Sequence, residues 1–279
     1  MNRSMLWVFA LLGIFAWAGC GTDEEPKEAV EQGSLSISIY GEEFIEDRIP
    51  AWVFDDGWEV HFQKFLLHLG RVSALHETSS EVSFGADQGW TFDLTASTDG
   101  AGQVVHQAPT AVGRYPRVDY EITPALSTSS GGNATSDDRA LMLDNGYSVY
   151  VVAEAKHATQ PAKHFSWGFS TTTRYSECES LAEVTKVGTG STQLTIHADH
   201  LFLDDLVSPE AGFLFDLIAA ADADNDGDVT MAELEVQSII GQERYGVGNH
   251  TEVENLAQFI GHLVGTVGHI DGEGHCHNN

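Results

Sequence analysis

Three aspartates at alternate positions near the C-terminus have the clearest chemistry in this sequence. They lie in residues 222–233, which read DADNDGDVTMAE. Ca²⁺ takes about six to eight oxygen ligands, and a loop with a carboxylate at every second position supplies several of them. Gly227 permits the positive φ that so tight a loop needs. The pattern predicts a calcium site, and its alternative is a solvated acidic turn.

These twelve residues resemble the calcium loop of the EF-hand family. By that resemblance Asp228 binds through its main-chain carbonyl, Thr230 through its hydroxyl or a water, and Glu233 through both carboxylate oxygens. The resemblance implies six ligand residues, which are Asp222, Asp224, Asp226, Asp228, Thr230 and Glu233. EF-hands usually work in pairs, but no second loop of this kind occurs in the sequence. We therefore expect a structural clip that holds two helices rather than a switch.

A second candidate site combines histidine and carboxylate side chains in residues 196–205, IHADHLFLDD. On a strand His197 and Asp199 share one face, and His200 can join them where the strand ends. Imidazole with carboxylate suits zinc, copper, iron or manganese. The alternatives are histidines that only satisfy hydrogen bonds at a sheet edge, or a metal-dependent hydrolase. Since the sequence has no G-x-S-x-G, H-E-x-x-H or glycine-rich phosphate loop, we expect a protein that is not an enzyme.

The N-terminal segment predicts the compartment. Arg3 is the only charge in the first 22 residues, and an apolar run ends at Ala18-Gly19-Cys20. This resembles the signal of bacterial lipoproteins, although Trp17 stands where an aliphatic residue is usual. The resemblance implies removal of residues 1–19 and lipidation of Cys20. The chain would then be anchored in the bacterial cell envelope, on a periplasmic or surface face. The alternative is an ordinary cleaved signal.

The other two cysteines, Cys178 and Cys276, form an even pair if Cys20 carries lipid. An oxidising compartment favours a disulfide between them. The alternative is that Cys276 is a thiolate metal ligand together with His275 and His277. The His/Cys-containing tail, residues 268–279, is predicted either to scavenge soft metals or to be unstructured.

Charge and aromatic content limit the possible partners. The net charge is −29, from 42 acidic and 13 basic residues, which excludes nucleic acid and attracts cations and basic partners. Solvent-facing tryptophans on a β domain can stack on sugars, whereas buried ones belong to the core. The candidates are Trp52, Trp58, Trp90 and Trp167. We expect an unknown protein or glycan partner, in addition to the membrane.

The hydrophobic pattern predicts a mainly β protein with a C-terminal α module. Short alternating segments indicate an antiparallel β-sandwich over residues 34–205, after a flexible acidic tether at 20–33. A phase slip in the apolar pattern within residues 59–72 predicts a β-bulge or a bend in a long strand. Helical spacing then predicts a module over 206–267 that contains the acidic loop. One of its helices is expected to start at Ser208 and another at Thr251.

Overall fold

The computed structural model describes residues 31–79, 81–129 and 131–278. This part of the chain is mainly β, with several sheets and few short helices. The strands are β1 (Gln32–Tyr40), β2 (Trp58–Leu75), β3 (Phe84–Ala86), β4 (Trp90–Asp93), β5 (Gln103–Ala111), β6 (Gly113–Arg114), β7 (Arg117–Ile122), β8 (Val149–His157), β9 (Lys163–Phe169), β10 (Thr173–Glu179), β11 (Glu183–Val184), β12 (Thr189–Ile196), β13 (Asp228–Val229), β14 (Gly268–Ile270) and β15 (His277–Asn278). The helices are α1 (Glu42–Glu46), α2 (Ser136–Asn145), α3 (Asp216–Ala220), α4 (Met231–Val236) and α5 (Leu256–Leu263), with 3-10 turns at Ala198–Phe202 and Val264–Thr266. The predicted signal peptide, Cys20 and the tether up to residue 30 lie outside the described residues.

The larger sheet is built on β2, which pairs antiparallel with β8 on one side and β7 on the other. Its order is β13-β9-β8-β2-β7-β10-β15, and β3 and β4 also pair with β2. The β2–β8 register shifts between Phe62 and Lys64, so the predicted bulge is confirmed. This sheet carries β13, the short strand inside the acidic loop, on one edge.

A second sheet has the order β14-β12-β1-β5. Here β1 and β12 run parallel, with Ile37 opposite Thr192, so the prediction of purely antiparallel pairing was wrong at this position. More than a hundred residues separate the two strands, and a connection of that length lets them meet in either direction. The remaining pairs of this sheet are antiparallel.

Side chains from both sheets belong to one hydrophobic core. Strict alternation in β1 buries Leu35, Ile37 and Ile39, as a half-buried strand requires. Trp58 and Trp167, on β2 and β9, are also fully buried. The core therefore extends from the four-stranded sheet to the strand that adjoins the acidic loop.

The C-terminal helices are shorter than predicted, and neither expected start is a helix start. Asp205 Oδ1 accepts the backbone N–H of Ser208 at 2.8 Å, and Asp204 Oδ1 accepts that of Gly212 at 2.8 Å. A helix capped at Ser208 would bond the Gly212 N–H to the Ser208 carbonyl, but the Asp204 carboxylate holds that donor instead. The last helix begins after Asn255 instead of Thr251, because the Asn255 side chain accepts the N–H of Gln258 at 3.0 Å.

The C-terminal segment is tied into both sheets rather than left free. Strand β14 pairs with β12, β15 pairs with β10, and a disulfide joins Cys178 to Cys276. Cys276 is thus not a thiolate ligand in this structure. Among the helices of the described residues, none has the length and apolar character needed to cross a bilayer.

Candidate metal centres

The acidic loop is shaped by its own short polar side chains. Asp224 Oδ1 accepts the backbone N–H of Asp226 at 3.2 Å, and Asp226 Oδ1 accepts that of Asp228 at 2.8 Å. Aspartates close turns in this way because their carboxylates reach backbone donors two residues ahead. Asn225 and Gly227 adopt positive φ angles of 62° and 94°, where asparagine and glycine are favoured. The local sequence therefore specifies a tight loop.

Three carboxylates of this loop converge, because Asp222, Asp224 and Glu233 each place an oxygen within 4.8 Å of the others. Glu233 is positioned by a capping box at the start of α4, in which its Oε2 accepts the N–H of Thr230 at 2.8 Å. Its Oε1 accepts the N–H of Ala223, near the other end of the loop, at 3.1 Å. Glu233 thus joins the two ends of the loop.

Asp222 is the buried member of this group. It is 5% exposed, and within the described residues its Oδ1 has no hydrogen-bond partner. Its Oδ2 accepts the N–H of Gly227 at 3.1 Å and forms an ion pair with Lys163 of β9. The hydrogen bond from Lys163 holds the pKa of Asp222 below its ordinary value, so the carboxylate is charged at neutral pH. A buried carboxylate oxygen without a donor is costly unless a cation binds it.

The other three predicted calcium ligands are Asp226, the main-chain carbonyl of Asp228 and Thr230. The side chains of Asp226 and Asp228 are exposed and lie outside the three-carboxylate group. Thr230 Oγ1 donates to Glu233 Oε2 at 2.9 Å as part of the cap. The structure therefore brings together the carboxylates of three of the six residues implied by the resemblance.

The loop is docked on the large sheet through its apolar position. Val229 is buried and, with Asp228, pairs in parallel with His164 and Phe165 of β9. Trp167 Nε1 donates to the Val229 carbonyl at 2.8 Å. The loop is thereby attached to β9, the strand on which both Lys163 and Trp167 lie.

A second cluster gathers three histidines where β12 meets β14. His197 follows β12, His200 lies in the next 3-10 turn, and His269 is on β14. The ring centroids are 4.5 Å apart for His197 and His269, 5.4 Å for His197 and His200, and 5.2 Å for His200 and His269. Atoms of His197, Asp199 and His200 converge within 4.8 Å, as do atoms of His197, His269 and Glu273.

Several polar atoms of this histidine cluster are buried without a hydrogen bond, and one of them, His197 Nε2, lies 3.5 Å from Glu42 Oε1. Among the residues that the structure describes, His197 Nε2, Asp199 Oδ1 and His269 Nδ1 accept or donate no hydrogen bond. His200 Nδ1 donates to the Thr266 carbonyl at 2.9 Å, which leaves the lone pair of its Nε2 free. Fixing one ring nitrogen so that the other can bind a metal is typical of ligating histidines.

Electrostatics in the histidine cluster favour neutral groups. Burial, followed by the nearby His197 and His200, lowers the pKa of His269 to about 4. Burial also lowers the pKa of His200 and raises that of Asp199. Neutral imidazoles are the form that binds metals, and a bound cation would restore the charge of the carboxyl group. A cavity of about 420 Å³, lined in part by Glu42, His197 and Glu273, gives access from solvent.

His197, Asp199 and His200 were predicted to form one metal site, but His269 and Glu273 were not predicted to join it. These two belong to the segment expected to be a tail, and β14 is only three residues long. A strand of that length leaves no readable periodicity, so its pairing with β12 was not predictable.

The tryptophans considered for sugar stacking are mostly in the core. Trp58, Trp90 and Trp167 are buried, whereas Trp52 is 80% exposed in a turn before β2. A stacking platform built from several of these rings is therefore absent from the described residues.

Comparison with known proteins identifies no family. No protein-family model matches the sequence, and no curated protein matches it. Among solved structures, MbnP from Methylosinus trichosporium is similar at 6% sequence identity and a TM-score of 0.34, over 68% of this chain and 89% of that chain. So distant a similarity leaves the function to be argued from the sites themselves.

Proposed function

We propose that this protein binds calcium at the acidic loop. The observation that carries the proposal is the buried carboxylate of Asp222. Its Oδ1 has no hydrogen-bond partner within the described residues, and one of its oxygens lies within 4.8 Å of oxygens of Asp224 and Glu233. Calcium is the fitting ion because it prefers carboxylate and carbonyl oxygens. Upon binding, the Lys163 ammonium would be displaced from Asp222 by a cation with twice its charge.

The loop with α3 and α4 on either side is proposed to be a single EF-hand. Its flanking helices are only one to two turns long, and the loop packs on β9 where a paired EF-hand would have a second loop. Calcium would then act as a clip that holds the C-terminal segment against a β-sandwich made of the two main sheets. At a calcium concentration about 100 times Kd, occupancy adds ~2.7 kcal/mol to stability.

The proposed location is the bacterial cell envelope, with a lipid anchor at Cys20. The disulfide between Cys178 and Cys276 supports a compartment outside the cytoplasm, because cytosolic thiols are kept reduced. Calcium outside cells is plentiful, so a site of modest affinity would be filled there. We propose that the calcium-stabilised domain is a binding module for a protein or glycan.

Titration calorimetry of the full chain with CaCl₂ tests this proposal. The wild type should bind one ion at the loop, and Asp222→Asn and Glu233→Gln should each lose it. Asp144→Asn, a change at an exposed aspartate of α2, should bind as the wild type does. Equal binding by the wild type and Asp222→Asn would contradict the proposal.

A second candidate function is the binding of a transition metal by the histidine cluster. Three buried atoms that make no hydrogen bond favour it, since an imidazole nitrogen or carboxylate oxygen is seldom left unsatisfied without a role. Nitrogen-rich donor sets suit zinc, copper or iron rather than calcium. The same residues would serve a metal-dependent hydrolase, although no nucleophile adjoins them in the sequence.

Metal content by mass spectrometry, on protein purified without chelator, separates these candidates. Calcium alone supports the first function, whereas a stoichiometric transition metal supports the second. His197→Ala together with His200→Ala should then release the transition metal and leave calcium in place. Retention of that metal by the double variant would rule out the cluster.

A further inference from the structure

A third group of potential metal ligands lies on the surface, in neither of the centres described above. His250 Nδ1 is 3.4 Å and His262 Nε2 is 3.8 Å from the same oxygen, Oε1 of Glu252. The two imidazole rings are 4.7 Å apart between centroids. One atom from each residue lies within 4.8 Å of the other two. A single small space is therefore surrounded by two nitrogens and one carboxylate oxygen.

Rigid elements hold these three side chains in place. His250 and Glu252 belong to a turn closed by the N–H of Val253, which donates to the His250 carbonyl at 3.0 Å. Val253 is 4% exposed and anchors that turn in the core. His262 is on α5, whose apolar face is buried. Core packing thus fixes the backbone positions from which the three side chains project.

The metal-free arrangement does not satisfy the charges of this group. One carboxylate faces two imidazoles, and if both were protonated their like charges would repel at this separation. The backbone N–H of Glu252 itself, and then the His250 imidazole, hold the pKa of Glu252 below its ordinary value. The carboxylate is consequently negative at neutral pH, the form in which it binds a metal ion.

We propose that His250, Glu252 and His262 form a surface site for a divalent transition ion such as Zn²⁺, Ni²⁺ or Cu²⁺. Two imidazoles and one carboxylate are a donor set for these ions rather than for Ca²⁺. The side chains are 41%, 65% and 40% exposed in that order, so ions reach the site from bulk solvent. The site depends on neither the acidic loop nor the buried histidine cluster.

Three protein ligands leave at least one coordination position open. Both histidines line a cavity of about 460 Å³ that is also lined by Thr173, Thr266 and Asn278. The open position is therefore occupied by water or a small polar ligand within that cavity. A bound ion would also link the 250–253 turn to α5.

Zinc titration followed by NMR of the histidine rings tests the site on the full chain. The ring resonances of His250 and His262, identified by their loss in His250→Gln and His262→Gln, should shift or broaden on addition of ZnCl₂. CaCl₂ should leave them unchanged. Zinc calorimetry should show about one ion fewer per chain in His262→Gln than in the wild type. Glu252→Gln, which keeps the shape and removes the charge, should weaken zinc binding at these rings.

His61→Gln is the matched control, because His61 is an exposed histidine on β2 outside every ligand group of the described residues. It should bind as much zinc as the wild type. If zinc leaves the His250 and His262 resonances unmoved, the group is only an ion pair and the proposal is wrong. Because the readout is specific to these two rings, loss of calcium or of zinc at the buried cluster would not be mistaken for this outcome.

Discussion

Replacing Lys163 with methionine is expected to destabilise the calcium-free protein and to strengthen calcium binding. Without calcium, Lys163 is the cation that neutralises Asp222, whose side chain is fully buried. A hydrogen bond between charged groups contributes roughly 1.5–3 kcal/mol. The Lys163 side chain is 12% exposed and lies near an edge of the large sheet, so we take the lower end, about 1.5 kcal/mol.

The calcium-bound protein should lose much less stability, because the bound ion neutralises Asp222 in place of Lys163. Folding and calcium binding form a thermodynamic cycle. A decrease in the free energy of unfolding that occurs only without calcium therefore equals the gain in the free energy of calcium binding. A difference of about 1.5 kcal/mol corresponds to roughly tenfold tighter binding. Wild-type Lys163 thus weakens calcium affinity while keeping the empty loop folded.

Calcium calorimetry and thermal unfolding, with chelator and with CaCl₂, measure both halves of this prediction. Lys156→Met is the control, because its ion pair with Glu154 at 2.6 Å involves a lysine that is 55% exposed. Such a surface pair contributes about 0–1 kcal/mol, so that variant should change neither quantity appreciably. Should Lys163→Met bind calcium no more tightly than the wild type, the competition between ammonium and calcium at Asp222 would be refuted.

Three further expectations follow from particular residues. Burial, and then the neighbouring histidines, lower the pKa of His269 to about 4. Because the pKa of an unfolded histidine is about 6.5, protons bind preferentially to the unfolded chain. In urea unfolding, the free energy of unfolding of the metal-free protein should therefore fall by up to about 3 kcal/mol as the pH falls from about 6.5 to about 4. The free energy of unfolding of His269→Gln should depend less on pH over this range. In the same assay, Cys178→Ser should lower the free energy of unfolding by ~2–5 kcal/mol, because the disulfide joins Cys178 to Cys276 across a sequence separation of 98. An unchanged urea midpoint would contradict this. Gly227→Ala should weaken calcium binding by about 1–2 kcal/mol in calorimetry, because φ is 94° there, and wild-type affinity would show that the loop tolerates the strain.

Features encoded within a few residues were predictable from the sequence, and features made by distant segments were not. The acidic loop and the β2 bulge both leave a local pattern in the chain. The Lys163–Asp222 ion pair joins residues 59 positions apart, and nothing near either residue signals it. His269 reaches His197 only because β14 pairs with β12.

The helix predicted from Ser208 shows why helical spacing alone was misleading. The apolar periodicity after Ser208 is genuine, but the Asp204 carboxylate accepts the Gly212 N–H, which would donate the first hydrogen bond of a helix capped at Ser208. Phe213 forms an isolated antiparallel β-bridge with Leu203 instead, and α3 begins only at Asp216. Side-chain competition for backbone hydrogen bonds, rather than low propensity, sets that boundary.

Terbium luminescence sensitised through tryptophan tests the central claim most directly, because Tb³⁺ is a hard, oxygen-binding ion that substitutes for Ca²⁺. Trp167 donates its Nε1–H to the Val229 carbonyl at 2.8 Å, so its indole is close enough to the loop to transfer excitation to a bound ion. We predict terbium emission on tryptophan excitation that CaCl₂ displaces and that Asp222→Asn abolishes. Emission that is missing from the wild type, or that persists in Asp222→Asn, would contradict a calcium site at this loop.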